Sequence, residues 1–543
     1  MADEHTPLLE HALVGATRNE SRRGAPKRHS CSQHVNTRKL LNSRHVSMIS
    51  MGGIIGTGLF MGVRLSLING PLISLASYIY ISFICYFIVQ AVGEMSCYMP
   101  LNGGLCQFQF KFISNCVGVM NNFVYWLSWS VTLGLELGLM YELVVAFFAN
   151  VPFSGVGVGG WIIGNQTWVM LVMWTVLTGS NLFPVNFYGE IEFAVTIIKI
   201  AFIMSWIVLA SWLVWSRGGG GGEGFKNWSG DLMWGVDTFH VAANPILNKV
   251  INVFTSSLVS SCFTFQSIES VALCSGEIQD IHKSLPRSIK YIVSRIIVFY
   301  IVTLFLLTLM IPCNDPALLP NGDDQILSSP FLIGLVNMGV AVNSKILSLF
   351  NLVILISVAS AANSNIYFGS RCLLSMVEEG YFWSQFGKTI NGVPVYSTLL
   401  TSGIGLIALL SHFKAADYLF KSLITWSASS GLVMWMCLSI SYLRFREALR
   451  VCGEDYRRLS YQSPLPMETL GRVCIASISV IILSNGLINI WHFQWENFLT
   501  SYGSSLIVLT GTLYLSYRWG EPILTPIAEI DIYTGQSSFA FIE

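Results

Sequence analysis

The chain has 543 residues, 53% of them hydrophobic and only 11% charged, against about 25% charged in an ordinary soluble domain. Lysine plus arginine equals aspartate plus glutamate at 30 each, so net charge gives no ground for a nucleic-acid or acidic partner. This excludes a soluble globular protein and describes a chain that crosses a membrane many times, with Trp and Tyr near the ends of apolar runs, where amphipathic rings favour the headgroup region.

In chain order, residues 1–45 come first. They are polar and basic (RNESRRGAPKRHS) and lack the apolar stretch of a cleavable signal peptide, so they read as a disordered cytoplasmic tail. Within them EHTPLL at 4–9 fits the acidic dileucine sorting pattern. That short pattern often arises by chance, and it sets a vacuolar or endosomal membrane beside the plasma membrane as a destination. A span needs about 20 apolar residues. Such runs number about twelve, at 46–68, 72–94, 120–149, 167–184, 190–215, 251–275, 291–311, 343–374, 396–413, 422–443, 473–490 and 500–517. Together they make one transmembrane domain over 46–518, followed by a second cytoplasmic tail at 519–543. An even number of spans puts both tails on one side. Most of the Lys and Arg fall in the tails and in the loops of that side, which makes it cytoplasmic. The sequons at Asn165 and Asn227 then lie in external loops as glycosylation candidates, with GGGGGEG at 218–224 a flexible part of the second loop.

The first span carries MGGIIGTGLF at 51–60. Each internal Gly weakens a helix by about 1 kcal/mol relative to Ala, so Gly52, Gly53, Gly56 and Gly58 make continuous helix improbable. Two readings are open. Broken helix at membrane depth is tolerated where it is packed in protein or lines a wet cavity. There a half-helix would offer N–H groups and its positive end to a carboxylate, and freed carbonyls to an ammonium. Alternatively, the glycines permit close helix packing. The sixth span is unusually polar (TSSLVSSCFTFQSIESVALCSGE) and opens a possible second five-span repeat. Transporters built from inverted repeats place their site between two broken helices at corresponding positions.

Ionisable groups inside a bilayer cost about 2.5 to 3.5 kcal/mol on insertion scales, so each needs an account. Glu190 and Glu192 lie at a span end, which favours interfacial solvation. Glu136 reads equally as a functional or a satisfied structural acid. Glu269, beside the second break, is the foremost functional candidate, and Lys199 is either a coupling group or half of a structural ion pair. Glu94 in GEMS sits near a cytoplasmic end and reads as a loop lock. Histidines such as His5, His11, His29, His34 and His45 read as solvated, and the 12 cysteines as packing residues, since neither set has metal-ligand spacing. Without a nucleophile–base set, metal cluster or nucleotide loop, the sequence does not describe an enzyme, and the expected coupling ion is a proton rather than a cofactor.

Longer blocks carry a family resemblance. GGIIGTGLF, GEMSCYMPLNGG (93–104), SGEIQDIHKSLPRSIKYIVSRIIVFY (275–300), NSNIYFGSRCLLSMVEEGYFW (363–383) and SISYLRFREAL (439–449) occur in order across residues 44 to 517. They resemble the fungal amino acid permeases of the amino acid-polyamine-organocation superfamily. The resemblance implies an all-α membrane protein with the leucine-transporter fold: two inverted five-helix repeats, discontinuous helices 1 and 6, and two extra helices. It also implies that Gly56, Thr57 and Gly58 bind the substrate carboxylate, with Ile55 and Ser267 beside them. Carbonyls of Ile54, Phe263 and Gln266 would take the amino group, and Phe263 would supply an aromatic gate. Glu269 matches an acid linked to pH dependence, and Lys199 a lysine that replaces a sodium ion in proton-coupled members. Ser267 departs from the pattern, since relatives usually have Gly in that break, and a serine there costs space and turn freedom.

The function implied is proton-coupled amino acid import by alternating access, with a permease-like sensor that binds substrate but transports little as the alternative. Partners would be an amino acid, protons, membrane lipid and trafficking or signalling proteins at the tails, with no nucleic acid. The substrate's identity stays open. No extra acid in the break regions marks a basic side-chain pocket.

Overall fold

The computed structural model describes residues 38–149, 162, 164–217, 225–235, 257–318, 329–340, 344–412, 416–486, 495–537 and 540–541. The dileucine pattern at 4–9, most of the 1–45 tail and the GGGGGEG stretch lie outside the described residues.

Each of the twelve apolar runs is met by helix. The first is split into α1 (Ser43–Ile54) and an outer half made of a π turn (Gly58–Gly62) and α2 (Val63–Leu67). Next come α3 (Pro71–Tyr98), the short α4 (Gly104–Phe112), α5 (Asn115–Ala149), α6 (Gln166–Asn181) and α7 (Val185–Arg217). The sixth run holds α8 (Leu258–Phe265), after which only 3-10 turns at Ser270–Ala272 and Ser275–Glu277 continue it. The seventh is α9 (Ile281–Lys290), α10 (Ile292–Ile296), a π turn and α11 (Thr303–Met310). Beyond α12 (Pro330–Asn337) lie α13 (Ser344–Glu378), α14 (Val395–Gly405), α15 (Ala416–Val451), α16 (Met467–Ser484) and α17 (Trp495–Trp519).

Among the described residues, seven stretches are long and apolar enough to cross a membrane. The other five runs fall short for physical reasons. The first and sixth are broken, α6 and α14 have only 16 and 11 helical residues, and the first half of α15 carries the polar TWSASSG. At 1.5 Å per residue a core of about 30 Å takes about 20 residues. The 35 residues of both α5 and α13 therefore reach well past it, and these two helices pack along one another as the spine of the bundle. The inner half-helix α1 packs against α7.

The face bearing the basic loops is closed by both ends of the chain. Leu41, within the stretch read as tail, is buried and pairs with the segment after the sixth run, donating to the Glu277 carbonyl (3.0 Å) and accepting from Gln279 N–H (3.1 Å). After α17 the chain turns back as a strap, described over residues 525–537 and 540–541. Thr525 N–H donates to the Ile113 carbonyl (2.8 Å) and Ser537 N–H to the Tyr98 carbonyl (2.9 Å), while the Ala540 carbonyl accepts from Ser460 N–H (2.8 Å). His282 has one ring nitrogen 3.1 Å from Ser460 Oγ and the other 2.7 Å from Ser537 Oγ. Ile532 of the strap is fully buried. Glu94 secures the loop between α15 and α16, as its sequence context suggested. It accepts from Ser463 N–H at 2.8 Å, from Tyr442 at 2.6 Å and from Arg446 at 3.3 Å.

Candidate functional site

The glycines of the first break divide between the two roles open to them. At Gly58 an added Cβ would sit 2.8 Å from Thr264 Cα, and at Gly52 it would sit 1.9 Å from Glu192 Oε1. Those two are packing glycines: one lets the broken helices touch, and the other admits a buried side chain. At Gly56 an added Cβ would meet Ala361 Cβ at 3.8 Å and the Gly53 carbonyl at 3.9 Å, both ordinary van der Waals contacts, so the position tolerates a methyl where the other two do not. Between them the backbone leaves the helical region at Ile55 (φ −86°, ψ 81°).

The second break turns at Gln266 (ψ 148°) and Ser267. Ser267 has φ 79°, a left-handed conformation that costs an L-residue with a Cβ about 1 to 2 kcal/mol. The turn that the family resemblance assigns to glycine is made here by a serine under strain. Its carbonyl is used at once, accepting from Ser270 N–H at 3.1 Å.

A cavity of about 50 Å³ lies between the breaks. A single water needs about 10 to 15 Å³ by the same measure, so the space suits a few waters or the head of a small zwitterion. Gly56, Thr57, Gly58, Phe263, Gln266 and Ser267 all line it. The first N–H groups of the outer half-helix, at Thr57 and Gly58, have no intrahelical carbonyl to bond. Ile54 ends α1, and Ile55 is fully buried beside the cavity without lining it. The Phe263 carbonyl accepts from Gln266 N–H (3.3 Å), and the Gln266 side chain donates to the Ser427 carbonyl (3.3 Å).

The opposite wall comes from α5 and α13 and holds residues that sequence reasoning did not assign. Thr57 Oγ1 donates to Glu136 Oε1. Glu136 Oε2, Trp129 Nε1 and Asn365 Nδ2 are buried, and none has a hydrogen-bond partner among the described residues. All three residues line the cavity. A buried polar group without a partner costs about 1 to 3 kcal/mol, so one free acceptor and two free donors around one lumen describe a site that a polar ligand completes. Asn365 stands in the NSNIYFGSR block and Glu136 interrupts an apolar run, but nothing in the sequence relates either to the breaks.

Glu269 and Lys199 stand behind this wall rather than on it. Glu269 is fully buried, accepting from Tyr125 on α5 (2.7 Å) and Trp435 on α15 (3.0 Å). Lys199 is equally buried and donates to the Gly52 carbonyl (3.1 Å) and to Ser360 Oγ (3.0 Å). Two expectations are corrected. Glu192 is not at the interface: it is 0% exposed and accepts from Ser360 at 2.7 and 2.8 Å. The reason is that α7 starts at Val185 rather than at 190, which sets Glu192 two turns deep. His45 is not solvated either, being buried with Nε2 3.0 Å from Glu190. Glu190 itself is about half exposed and also pairs with Arg44, in keeping with an interfacial role.

Of the two sequon residues, Asn165 precedes α6 and is half-buried. Asn227 spends its amide on the carbonyls of Thr308 (3.2 Å) and Leu309 (3.1 Å) at the end of α11. Among the described residues no group of His, Cys, Asp and Glu could hold a metal ion.

The sequence and the fold are similar to those of known proteins. The sequence model of the amino acid permease family matches residues 45–523. A lysine/arginine permease of Candida albicans is 34% identical, over 91% of this chain and 84% of that protein. A lysine-specific permease of Saccharomyces cerevisiae is 35% identical, over 93% of this chain and 79% of that protein. Among solved structures, that of MhsT in complex with L-phenylalanine matches with a TM-score of 0.58 at 13% identity, covering 83% of this chain and 100% of that one. That last likeness is one of fold.

Proposed function

The chain belongs to the amino acid permease family, with the leucine-transporter fold of a multi-pass membrane protein, and we propose that it imports basic amino acids together with protons across the plasma membrane. The observation that carries the substrate class is the Glu136 carboxylate, which reaches the cavity with Oε2 unpartnered. A charge-assisted hydrogen bond from a substrate ammonium or guanidinium would satisfy that atom. Relatives named lysine/arginine and lysine-specific permeases support the same class.

In this reading the substrate carboxylate lies against the free N–H groups of Thr57 and Gly58, and the cationic side chain reaches Glu136. Trp129 and Asn365 fix its orientation through their free donors. Alternating access arises as the two half-helices move apart on one side at a time. Lys199 holds a positive charge on the Gly52 carbonyl, so the break has a resident cation where relatives that use sodium have that ion. Ser267 makes its turn in the left-handed region, φ 79°. In the same proposal the tails at 1–45 and 519–543 lie on the cytoplasmic side of one transport domain, with Leu41 and Ile532 buried against it.

The test is uptake by purified protein in liposomes, with a full panel of labelled amino acids, with and without an inward proton gradient. Lysine and arginine should accumulate only with the gradient. Accumulation of neutral amino acids alone would overturn the substrate class. Tight lysine binding without uptake or exchange would establish the sensor instead.

A further inference from the structure

The transport cycle just described gives Glu192 no part, yet it is a fully buried acid at the first break. Its surroundings draw three helices together. From α7, Thr196 Oγ1 lies 3.4 Å from Glu192 Oε1 and also donates to the Met48 carbonyl of α1 at 3.3 Å. From α13, Ser360 donates to the carboxylate while accepting from Lys199. Lys199 Nζ is 3.9 Å from Glu192 Oε1 and bonds the Gly52 carbonyl of α1. No side chain but hydrogen fits at Gly52, because the carboxylate occupies the place of its Cβ.

In an unbroken helix the Gly52 carbonyl would accept from the N–H of Gly56. The break frees it, and Lys199 takes it, as a cation should at the negative end of a half-helix. A carboxylate at that same end is unfavourable by the same dipole. Its placement makes sense only through the ammonium it balances. Glu192 and Lys199 are seven residues apart on one helix, so two turns carry both to the same face.

We infer that Glu192 is the positioning residue of an inner latch: it and Ser360 hold the Lys199 ammonium against the end of α1, and α1 leaves α7 only when that bond opens. The cytoplasmic side stays shut while the latch is made. Opening requires loss of the bonds from α7 to α1 at Gly52 and Met48 and of the Glu190 contacts with Arg44 and His45, and of these only the bond at Gly52 depends on the charge at 192. This rests on the proposed transport function but not on the choice of substrate.

Glu192→Gln keeps size and an acceptor for Ser360 while removing the charge. The expected result is a maximal uptake rate at least ten-fold lower with KM for lysine within about two-fold of wild type, and partial recovery of rate in Glu192→Asp. Independently, a cysteine placed at Ala361, on the cavity wall, should react several-fold faster with an impermeant thiol reagent from the cytoplasmic side when Glu192→Gln is present. The protein without that reporter supplies the background. The labelling needs no substrate, so it stands or falls apart from the assignment of basic amino acids. Unchanged labelling and unchanged rate would overturn the latch, and so would a raised KM at constant rate, which would make Glu192 a substrate contact. If Glu192→Gln is not delivered to the membrane, Glu192→Asp carries the test: a reduced rate with constant KM supports the latch, and wild-type behaviour in rate and labelling overturns it. The pair Glu192→Leu with Lys199→Met restores an apolar fit, so recovery of uptake by that double variant would show a purely structural pair and overturn the latch.

Discussion

The two breaks solve one problem in different ways. In the first, glycines make room and side chains from elsewhere hold the freed ends: Lys199 on the Gly52 carbonyl, Glu136 on the Thr57 hydroxyl. Helix then resumes for ten residues. In the second, a strained serine makes the turn, and the broken segment supplies its own anchor in Glu269, which reaches out to α5 and α15. Two short 3-10 turns continue that segment instead of a half-helix. The first break is thus held by its neighbours and the second holds them. A movable element and a fixed one would be built this way.

The sharpest way to break that comparison is at Gly52. Gly52→Ala drives a methyl into Glu192 and should cost about 3 to 5 kcal/mol, the range for disrupting a buried ion pair, read as loss of thermal stability in detergent together with loss of uptake. Gly56→Val should do the opposite. An added Cβ makes only ordinary contacts there, which leaves stability near wild type, while the isopropyl group fills the cavity and abolishes substrate binding. Normal affinity in a delivered Gly56→Val protein would remove the cavity from the account of binding.

Glu136→Gln comes next. Losing a charged hydrogen bond to the substrate is worth about 1.5 to 3 kcal/mol, so lysine affinity should fall roughly 10- to 100-fold while neutral competitors are unaffected. Glu269→Gln tests the anchor of the second break. An amide has one oxygen for the two donors Tyr125 and Trp435, and the Trp435 N–H cannot turn away to accept. A loss of about 1 to 3 kcal/mol in stability is expected, with binding kept and gradient-driven accumulation lost. Unchanged accumulation would take Glu269 out of proton coupling and leave it as an anchor. The smallest effect should be Ser267→Gly, where relief of the left-handed strain is partly offset by glycine's greater freedom when unfolded. A net gain of about 0.5 to 1 kcal/mol would appear in unfolding curves.

Much of this was legible in the sequence because apolar length and glycine clustering are local signals. All twelve runs are met by helix, and six of the eight residues named for the substrate site line one cavity. The illegible part depends on distances in space. Thr57 meets Glu136 across 79 positions, and no periodicity links them. Asn365 and Trp129 looked like ordinary members of apolar helices until their free donors were found to face the same lumen. Glu192 was misread through a span boundary placed five residues late, enough to move an acid from the interface to the protein interior. Ser267 was the reverse case: a departure visible in sequence whose meaning, a left-handed turn kept at a cost, needed the backbone.

The strap after α17 has a consequence for the order of assembly. Its partners, the carbonyls of Tyr98 and Ile113 and the side chain of His282, belong to segments made long before it. A chain built from its N-terminus folds in that order, so these groups must wait in water until the strap itself has been made. Only a chain made through the strap can close this face, and a product truncated before it would be left with that face uncovered, open to proteases and to any quality-control machinery that inspects it.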